Sequence, residues 1–361
     1  HPEREASSEM FIEFLPLEKF DPELRLGEGQ TPLVELHRIE KEFKLPPLFA
    51  KNESLNPTFS FKDRGTVMAV QKAVSLGIER MGTVSTGNMA SSTAAYGAKA
   101  GLKTFVLVKE DISTEKLLAA AIHNPVLISV KGDYGELFYR SFALGRKFNI
   151  YFANSVDPLR IEGYKVIGYE IFLQLHHRAP DFVLVPVSSG GHLIGLMRSF
   201  LDLEKQGYIS SMPTFIGIQA EGCSPIAEAF SSGKTHVLRI FKTKTIAHAI
   251  SNPDPPGGNI VLKMIRESGG VILPVSDAEI LNAQRILAEY EGLFCMPASA
   301  ITLAGLLKLS AKMKLKPDAH IVLIITGGGM KAIKSLDSVK RNIHTCAITT
   351  LEEKIGKLLD T

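Results

Sequence analysis

Short apolar segments rich in β-branched residues alternate along this chain with longer segments whose apolar residues recur at helical spacing. A strand is predicted to end at Thr83-Val84-Ser85, and others are predicted at residues 104–108, 126–130, 182–187, 215–219 and 321–326. Helices are predicted at residues 88–99, 134–148, 193–203, 277–290 and 298–309. Strands that alternate with helices through short links are typical of parallel sheets covered by helices on both faces. The pattern therefore predicts an α/β protein.

Composition narrows the class of function. The 361 residues are 45% hydrophobic and 22% charged, which suits a globular protein of two lobes or one large α/β unit. A net charge of +3 is too small to favour nucleic acid or an anionic membrane as a partner. The polar start of the chain argues against a secretory signal, and its apolar runs are strand-sized. Three widely spaced cysteines, without a CxxC pair, predict a reducing cytoplasm and no disulfide framework or metal site.

Lys62 is the first candidate for chemistry. It follows the loop Asn56-Pro57 and opens an apolar helical pattern, and Ser60 with Asp63 three residues later resembles a capping box. The positive end of a helix disfavours an ammonium, so we expect a lowered pKa for Lys62. A partly neutral lysine suits Schiff-base chemistry with an aldehyde cofactor. The alternative is a solvated helix lysine.

Three further segments fall at strand ends, where open α/β sheets bind ligands. Ser85-Thr86-Gly87-Asn88 offers N–H groups and hydroxyls to an anion such as a substrate carboxylate, or is only a helix cap. Val187-Ser188-Ser189-Gly190-Gly191-His192 can form a phosphate nest, and it lacks the GxxxxGK[ST] pattern of a nucleotide P-loop. Thr326-Gly327-Gly328-Gly329 can bond the edge of a flat ring, or is a simple turn.

The order and spacing of these segments resemble the fold type II family of pyridoxal-phosphate enzymes, and within it the shorter, single-module threonine synthases. The resemblance runs from Gly27-Glu28-Gly29-Gln30-Thr31-Pro32-Leu33 to about Gly329. It implies a two-lobed α/β fold like that of the tryptophan synthase β subunit, with parallel sheets covered by helices and the cofactor between the lobes. We expect a small lobe at 52–152, a large lobe at 1–51 and 153–345, and a helical tail at 346–361. Family habit also implies a homodimer.

The resemblance assigns cofactor roles residue by residue. Lys62 would hold pyridoxal 5′-phosphate as an imine and later move protons. Asn88 would bond the cofactor's ring hydroxyl, and Thr326 its pyridine nitrogen. The cofactor's phosphate would lie on the loop formed by Ser188, Ser189, Gly190, Gly191 and His192.

Substrate roles follow from Asn154-Ser155-Val156-Asp157-Pro158-Leu159-Arg160, which also matches a family segment. Ser155 and Arg160 would hold the phosphate of a phosphorylated amino acid, because a forked guanidinium and a hydroxyl suit that anion. A structural salt bridge from Arg160 to Glu162 or Asp157 is the alternative. The resemblance places the following residues at the substrate: Ser85, Thr86, Asn154, Ser155 and Arg160.

The family reaction is the conversion of O-phospho-L-homoserine and water to L-threonine and phosphate. Arg160 favours a phosphorylated substrate. The alternatives are β-replacement on O-phosphoserine, as in cysteate or cysteine synthesis, threonine or serine dehydration, and a catalytically silent homologue that binds the cofactor. A nicotinamide-dependent dehydrogenase is disfavoured, because no GxGxxG motif opens a strand–helix unit.

The chain also departs from the threonine synthase pattern. Phe59 replaces a usual glycine, Met89 a threonine and Met296 a glutamate, and Gly328-Gly329-Met330 stands for H-G-L. The cofactor loop, usually G-N-x-G-N, carries Ser188, Ser189 and His192 instead. We expect Phe59 and Met89 to make the pocket narrower or more apolar.

Two remaining segments lie outside these motifs. The Pro- and Gly-rich stretch 251–258 predicts a surface loop that can serve as an active-site flap. The tail at 350–359 predicts a short amphipathic helix, which we expect to dock on the protein's own core rather than on a partner.

Overall fold

Two sheets organise the chain in a computed structural model, which describes residues 11–85, 87–110, 114–336 and 344–359. The larger sheet contains β1 (Leu33–Glu35), β2 (Leu48–Asn52), β7 (Phe182–Pro186), β8 (Thr214–Ala220), β9 (Val271–Val275) and β10 (Ile321–Ile325). The smaller sheet contains β3 (Arg80–Val84), β4 (Lys103–Lys109), β5 (Val126–Val130) and β6 (Tyr151–Phe152).

Strand order confirms the predicted α/β class. The larger sheet runs β1-β2-β10-β7-β8-β9 and is parallel except for the antiparallel edge pair β1–β2. The smaller sheet runs β5-β4-β3-β6, and all of its pairs are parallel. The strands of the smaller sheet lie within residues 80–152. All four strands therefore fall inside the small lobe predicted at 52–152. The division into two lobes itself stays a prediction.

Helices connect the strands and cover the sheets. Those of the first half are α1 (His37–Phe43), α2 (Lys62–Ser75), α3 (Asn88–Lys99), α4 (Thr114–Ala121), α5 (Tyr134–Phe148) and α6 (Pro158–Gln174). Those of the second half are α7 (Gly191–Lys205), α8 (Pro225–Ser231), α9 (Gly258–Glu267), α10 (Asp277–Glu291), α11 (Pro297–Ser310) and α12 (Leu351–Leu359). Among the residues described, no helix combines the length and apolar character needed to cross a membrane.

β10 shows why the buried strands read as continuous apolar runs. Val322 and Ile324 face one hydrophobic core, while Ile321, Leu323 and Ile325 face the other. All five side chains are at most 1% exposed. Successive strand residues point to opposite faces, so a strand covered on both faces must be apolar at every position.

Helix α2, which begins at Lys62, packs closely against α6. A Cβ on Gly65 would lie 2.8 Å from the Tyr164 ring and 3.0 Å from the Arg160 carbonyl oxygen. Only a glycine fits so close an approach without displacing α6. The position of Lys62 therefore depends on the close packing of Gly65 against α6. This glycine ends the segment 60–65, which is part of the family resemblance.

A buried cluster of charges joins α2 to the larger sheet. Arg64 donates to Glu53 at 2.7 Å and to Glu170 at 2.7 Å, and Lys51 donates to Glu170 at 2.6 Å. These four side chains are at most 3% exposed. Thr31 also contributes its hydroxyl, which donates to Glu53 at 2.6 Å. Two cations and two anions thus compensate one another away from water.

The C-terminal helix α12 corrects one expectation. Leu351 is 46% exposed and Ile355 is 49% exposed, and no residue of this helix is buried. The helix forms as predicted, but its predicted docking onto the protein's own core is wrong. The apolar spacing of the segment specifies an amphipathic helix and does not specify what covers it.

Glu170→Gln should lower the free energy of unfolding by about 3–5 kcal/mol, because it leaves buried cations without full compensation. Burial alone would raise the pKa of Glu170, but Arg64 and Lys51 together lower it. Its stabilising effect is therefore present above the pKa of an unfolded glutamate, about 4.3, and is lost as the pH falls below that value. Urea unfolding at pH 7 and in acid should show the gap between parent and variant narrowing in acid.

Glu136→Gln is the matched control for this change. Glu136 is 72% exposed and lies 3.9 Å from Arg140 on the same helix, and such pairs contribute only about 0.3–0.5 kcal/mol. Equal losses in the two variants would show that the buried cluster adds no more than a surface pair.

Candidate active site

Lys62 lies where helix α2 meets the end of strand β10. The Phe61 N–H donates to the Thr326 carbonyl oxygen at 3.0 Å, and Ser60 forms a bridge with Gly327. Because β10 ends at Ile325, this contact places the first turn of α2 at the carboxyl edge of the larger sheet. The predicted lysine and the predicted threonine thus meet at the edge where open α/β sheets bind ligands.

The start of α2 is not the predicted capping box. The Asp63 carboxylate accepts hydrogen bonds from the Thr58 N–H at 2.7 Å and from the Thr58 hydroxyl at 2.6 Å. The residue that precedes the helix is Phe61, which makes no side-chain cap, and the Ser60 hydroxyl is buried without a partner. Asp63 therefore stabilises the turn before the helix, and the Ser60 hydroxyl stays available to a ligand.

The environment of Lys62 makes its amine a weak base. The side chain keeps some contact with solvent, while the amine lies 4.3 Å from the centroid of the Phe61 ring. Burial, with a smaller contribution from the Arg160 charge, lowers the pKa of Lys62 to about 7. A substantial fraction of the amine is therefore neutral at pH 7, as Schiff-base formation requires. The sequence anticipated the lowered pKa from the helix dipole; burial is the larger cause.

Phe59 has a backbone conformation that favours glycine. Its φ is 59°, in the left-handed region, and its side chain is 61% exposed. The resemblance had identified this position as one usually held by glycine. A phenylalanine there costs on the order of 1 kcal/mol in backbone strain. Its ring does not fill the core, so burial of the ring does not offset this strain.

Arg160 is fully buried and contacts the second turns of α2 and α3. Its Nε donates to the Ala153 carbonyl oxygen at 2.6 Å, and its two Nη atoms donate to Thr66 at 2.7 Å and to Thr93 at 2.6 Å. Its guanidinium forms no ion pair with Glu162 or Asp157, both of which the structure describes, so the expected alternative is wrong. A role of Arg160 at a substrate phosphate stays a prediction.

In the segment before Arg160, some polar side chains are used in hydrogen bonds within the protein, and one is not. The Asn154 amide accepts from the Val84 N–H at 2.9 Å and donates to Ser141 at 2.9 Å, which holds the end of β3. The Asp157 carboxylate caps α6 by accepting from the Leu159 N–H at 3.0 Å. The Ser155 hydroxyl, in contrast, is buried without a hydrogen-bond partner. Of the predicted substrate residues described here, Ser155 is the one with a free buried hydroxyl.

Asn88 and Ser85 lie on the turn that opens α3. The Asn88 amide nitrogen lies 3.7 Å from the Met296 sulfur, a weak contact that a better acceptor could replace. The Gly87 N–H donates to the Ser85 hydroxyl at 3.4 Å. Thr86, the remaining predicted substrate residue of this turn, lies outside the described residues.

The predicted phosphate loop joins β7 to α7. Gly190 has φ 99°, and a Cβ on Gly191 would lie 2.6 Å from the Ser155 carbonyl oxygen, so both positions require glycine. The Ser189 hydroxyl accepts from the Asn252 amide at 2.8 Å. Ser188, half-buried, precedes these residues at the end of β7. The loop delivers the free N–H groups of a 15-residue helix to one point, which suits an anion.

His192 is the least expected member of this loop. Its ring stacks on Phe61 with centroids 4.0 Å apart, and both of its ring nitrogens are buried without a partner. Burial, with the nearby Lys62 charge, lowers the pKa of His192 well below its usual range. The ring is therefore neutral at pH 7, and it adds polar atoms beside Lys62 without adding charge.

Thr326 shares a hydrogen bond with a residue that sequence reasoning missed. The Ser299 and Thr326 hydroxyl oxygens lie 2.8 Å apart, and Ser299 also accepts from the Gly327 N–H at 2.9 Å. Ser299 belongs to Pro297-Ala298-Ser299-Ala300, a segment that contributed to the resemblance. The family match of that segment could have drawn attention to Ser299. It does not indicate that Ser299 orients the Thr326 hydroxyl.

Comparison with known proteins decides the family. A profile described as pyridoxal-phosphate dependent enzyme matches residues 24–327. Threonine synthase of Methanocaldococcus jannaschii is 40% identical over 91% of this chain and 81% of that protein. Threonine synthase of Bacillus sp. (strain ULM1) is 37% identical over 89% of this chain and 88% of that protein. A fungal L-serine ammonia-lyase from Rhizomucor miehei superposes with a TM-score of 0.71 at 20% identity, covering 91% and 98% of the two chains.

The chain belongs to the pyridoxal-phosphate-dependent enzymes. The structural likeness at 20% identity shows the same fold, and the family's cofactor is pyridoxal 5′-phosphate. The predicted fold class and cofactor are confirmed. The roles of individual residues at that cofactor stay predictions.

The residues present fit the cofactor. Lys62 supplies an amine with a pKa of about 7, and the buried Ser60 hydroxyl and His192 nitrogens lack protein partners. The two glycines that open α7 leave its N–H groups accessible to a phosphate. Thr326 offers a neutral hydroxyl, fixed by Ser299, that would suit the pyridine nitrogen predicted for this position.

Lys62 should carry the cofactor in the purified protein. Borohydride reduction followed by peptide mapping should place the pyridoxyl group on Lys62, and Lys62→Ala should abolish the label. After cofactor removal, the rate of reloading should rise with pH around a midpoint of about 7, because the neutral amine is the nucleophile.

Lys331→Gln is the matched control for this experiment. Burial lowers the pKa of Lys331 to about 8, making it a second weakly basic lysine near the site. The label should survive this substitution. A pyridoxyl group on Lys331 or on any other lysine would sink the assignment of Lys62.

Thr326→Asp should lower turnover at least about tenfold while the cofactor stays bound, because a carboxylate would favour a protonated pyridine nitrogen and change the electronics of the ring. Thr326→Ser keeps the hydroxyl beside Ser299 and should retain most of the activity. Steady-state rates and absorption spectra of the two variants provide the comparison. Unchanged spectra and rates in Thr326→Asp would mean that Thr326 is only a turn residue.

Proposed function

We propose that this protein converts O-phospho-L-homoserine and water to L-threonine and inorganic phosphate. The observation that carries the proposal is the likeness to threonine synthases over about nine-tenths of the chain, which includes strands of both sheets. The site supports it with a weakly basic lysine and an available buried hydroxyl at Ser155. The protein is thus a pyridoxal-phosphate-dependent lyase that acts on a carbon–oxygen bond to phosphate.

Lys62 moves the protons of this reaction. Bound pyridoxal phosphate supplies the electron sink that makes the α-carbon of an amino acid acidic. With a pKa of about 7, Lys62 Nζ can accept a proton from that carbon and return one at physiological pH. Its position on the first turn of α2 is held by the Gly65 contact and by the Arg64 ion pairs.

The remaining site residues orient and bind. Thr326, held by Ser299, would bond the pyridine nitrogen without imposing a charge on it. Asn88 would bond the cofactor's ring hydroxyl, and the N–H groups at the start of α7 would bind its phosphate. Ser155 donates to the substrate phosphate, and the buried Arg160 contributes positive potential on the same side.

We further propose that the enzyme works as a cytoplasmic homodimer. The family likeness supports a dimer. Three unpaired cysteines support a reducing compartment, with Cys223 and Cys295 buried and Cys346 exposed. Light scattering on the purified protein measures its molar mass and so tests the dimer directly.

Substrate preference tests the proposal. The parent protein should release phosphate from O-phospho-L-homoserine and form threonine, with a kcat/KM at least about a hundredfold above that for O-phospho-L-serine or L-threonine. Chromatography of the amino-acid products and a phosphate assay report the two outcomes, and Lys62→Ala serves as the blank. Faster β-replacement on O-phosphoserine, or ammonia release from threonine without phosphate turnover, would contradict the proposal.

A further inference from the structure

Strand β5 (Val126–Val130) is the outer strand of the smaller sheet and pairs in parallel with β4. Within the part of the chain that the structure describes, no strand pairs with its outer side. Exposed sheet edges in native proteins usually carry a charge, a proline or a bulge that prevents pairing with another chain. β5 contains no charged residue and no proline, and its register with β4 is unbroken, although Pro125 precedes it and Lys131 follows. This edge is therefore open to pairing.

The surface around β5 is apolar and uncharged. Val126 and Ile128 are exposed on the strand, and Leu118 and Ile122 are exposed one turn apart on the preceding helix α4. Residues 117–130 contain no aspartate, glutamate, lysine or arginine. Exposed aliphatic side chains in a region depleted of charge are typical of surfaces that bind other proteins.

The side chains of β5 alternate between the two faces of the sheet. Leu127 packs with Ala90 of α3 on one face. Val130 packs with Leu137 of α5 on the other face. Ile128 points to the same face as Val130, but it stays exposed. The centre of the strand thus carries an uncovered aliphatic side chain at the edge of the sheet.

The backbone of β5 has hydrogen-bonding groups on its outer side. The Glu110 N–H donates to the Val130 carbonyl oxygen at 3.1 Å, so Val130 directs its backbone groups at β4. Successive strand residues direct their backbone groups to opposite sides, so Ile128 also faces β4. Leu127 and Ser129 therefore direct N–H and C=O away from the sheet. Among the residues that the structure describes, none bonds these outward groups.

The outward groups match those of a second copy of the same strand. When two copies of β5 lie antiparallel with their Ile128 residues opposite each other, Leu127 of each copy faces Ser129 of the other. Each of these pairs exchanges two N–H···O=C bonds, so the contact forms four. A two-fold axis between the Ile128 residues generates both pairs, as a self-complementary interface requires. Pro125 has no N–H, so the ladder weakens beyond the strand.

We propose that β5 is an interface between two copies of this chain, which join their smaller sheets into one continuous sheet. Backbone bonds at Leu127 and Ser129 and the contact between the two Ile128 side chains hold the copies together. A second copy fits this edge because each outward group and each exposed side chain of the strand has a counterpart on the same strand of the other copy. The proposed reaction does not enter this inference, since β5 and α4 lie outside the candidate active site.

Ile128→Cys, made in a Cys346→Ser background, should form a disulfide between two copies of the holoenzyme under mild oxidation. Residues opposite each other in a non-hydrogen-bonded antiparallel pair have Cα atoms about 4.5 Å apart, which is within the range of a disulfide. Cys346 is replaced because it is exposed, whereas Cys223 and Cys295 are buried. Non-reducing electrophoresis should show most of the protein at twice the mass of the chain.

Val126→Cys in the same background is the matched control. Val126 is 39% exposed and Ile128 is 41% exposed, so the two thiols have similar access to the oxidant. In the proposed register Val126 lies opposite Val130 of the second copy, and the two Val126 residues lie about 13 Å apart along the strands. A disulfide does not span that distance. No crosslink in Ile128→Cys, or equal crosslinking of the two variants, would overturn the inference.

Ile128→Lys should halve the molar mass of the particle in light scattering, because it places two like charges directly opposite each other. Ile260→Lys changes an exposed aliphatic residue of α9 and should leave the molar mass unchanged. An Ile128→Lys protein with the molar mass of the parent would contradict the inference as well. Turnover of O-phospho-L-homoserine by the parent tests the proposed reaction separately, so each of the two proposals can fail without the other.

Discussion

The buried charge cluster of Lys51, Glu53, Arg64 and Glu170 is the constraint on which the geometry of the site depends. Lys51 is on β2, Arg64 on α2 and Glu170 on α6, so the cluster fixes the lysine-bearing helix to the larger sheet from two sides. A buried ion pair can stabilise a fold weakly and still be decisive for which arrangement forms, because any other arrangement leaves a charge unpaired. The cluster therefore specifies where α2 begins as much as it stabilises the protein.

The contrast between Arg64 and Lys62 explains how one helix carries both structure and chemistry. Arg64 is surrounded by carboxylates that keep it charged. Lys62, two residues earlier, has an aromatic ring beside its amine, and the Arg160 charge adds to burial in lowering its pKa. Burial without an anion favours the neutral amine. The same first turn thus holds one fully compensated charge and one uncompensated amine, which is the group whose pKa is lowered to about 7.

The local sequence pattern predicted correctly those helices whose start and end are determined by residues close to them in the chain. Helix α5 has the predicted bounds because Asp133 caps it by accepting from the Glu136 N–H and Asn149 ends it in a left-handed conformation. β2 carries the polar residues Lys51 and Asn52 and was not predicted as a strand. Lys51 is satisfied by Glu170, 119 residues away, so no local pattern could reveal that a lysine in this strand is buried.

The same limit applies to the site. Lys62, Asn88, Ser155 and Thr326 could be named because their segments match a family pattern, but a pattern does not state which donors a fold has already used. Asn154 has both ends of its amide engaged, while the adjacent Ser155 has a free hydroxyl. The Ser60–Asp63 spacing matched a capping box, yet Asp63 bonds Thr58 instead. These choices depend on tertiary contacts that spacing does not encode.

Four of the departures from the threonine synthase pattern, at Phe59, Met89, Met296 and His192, each place an uncharged side chain in a segment of the candidate site. Met296 places its sulfur 3.7 Å from the Asn88 amide, and Met89 is 5% exposed. His192 stacks on Phe61 and is held neutral by burial. A cation at His192 would act directly on the Lys62 amine, because the two groups interact electrostatically and burial already favours the neutral amine. Because His192 is neutral, it changes the shape of the pocket beside Lys62 without adding a charge that would lower the pKa of the Lys62 amine further.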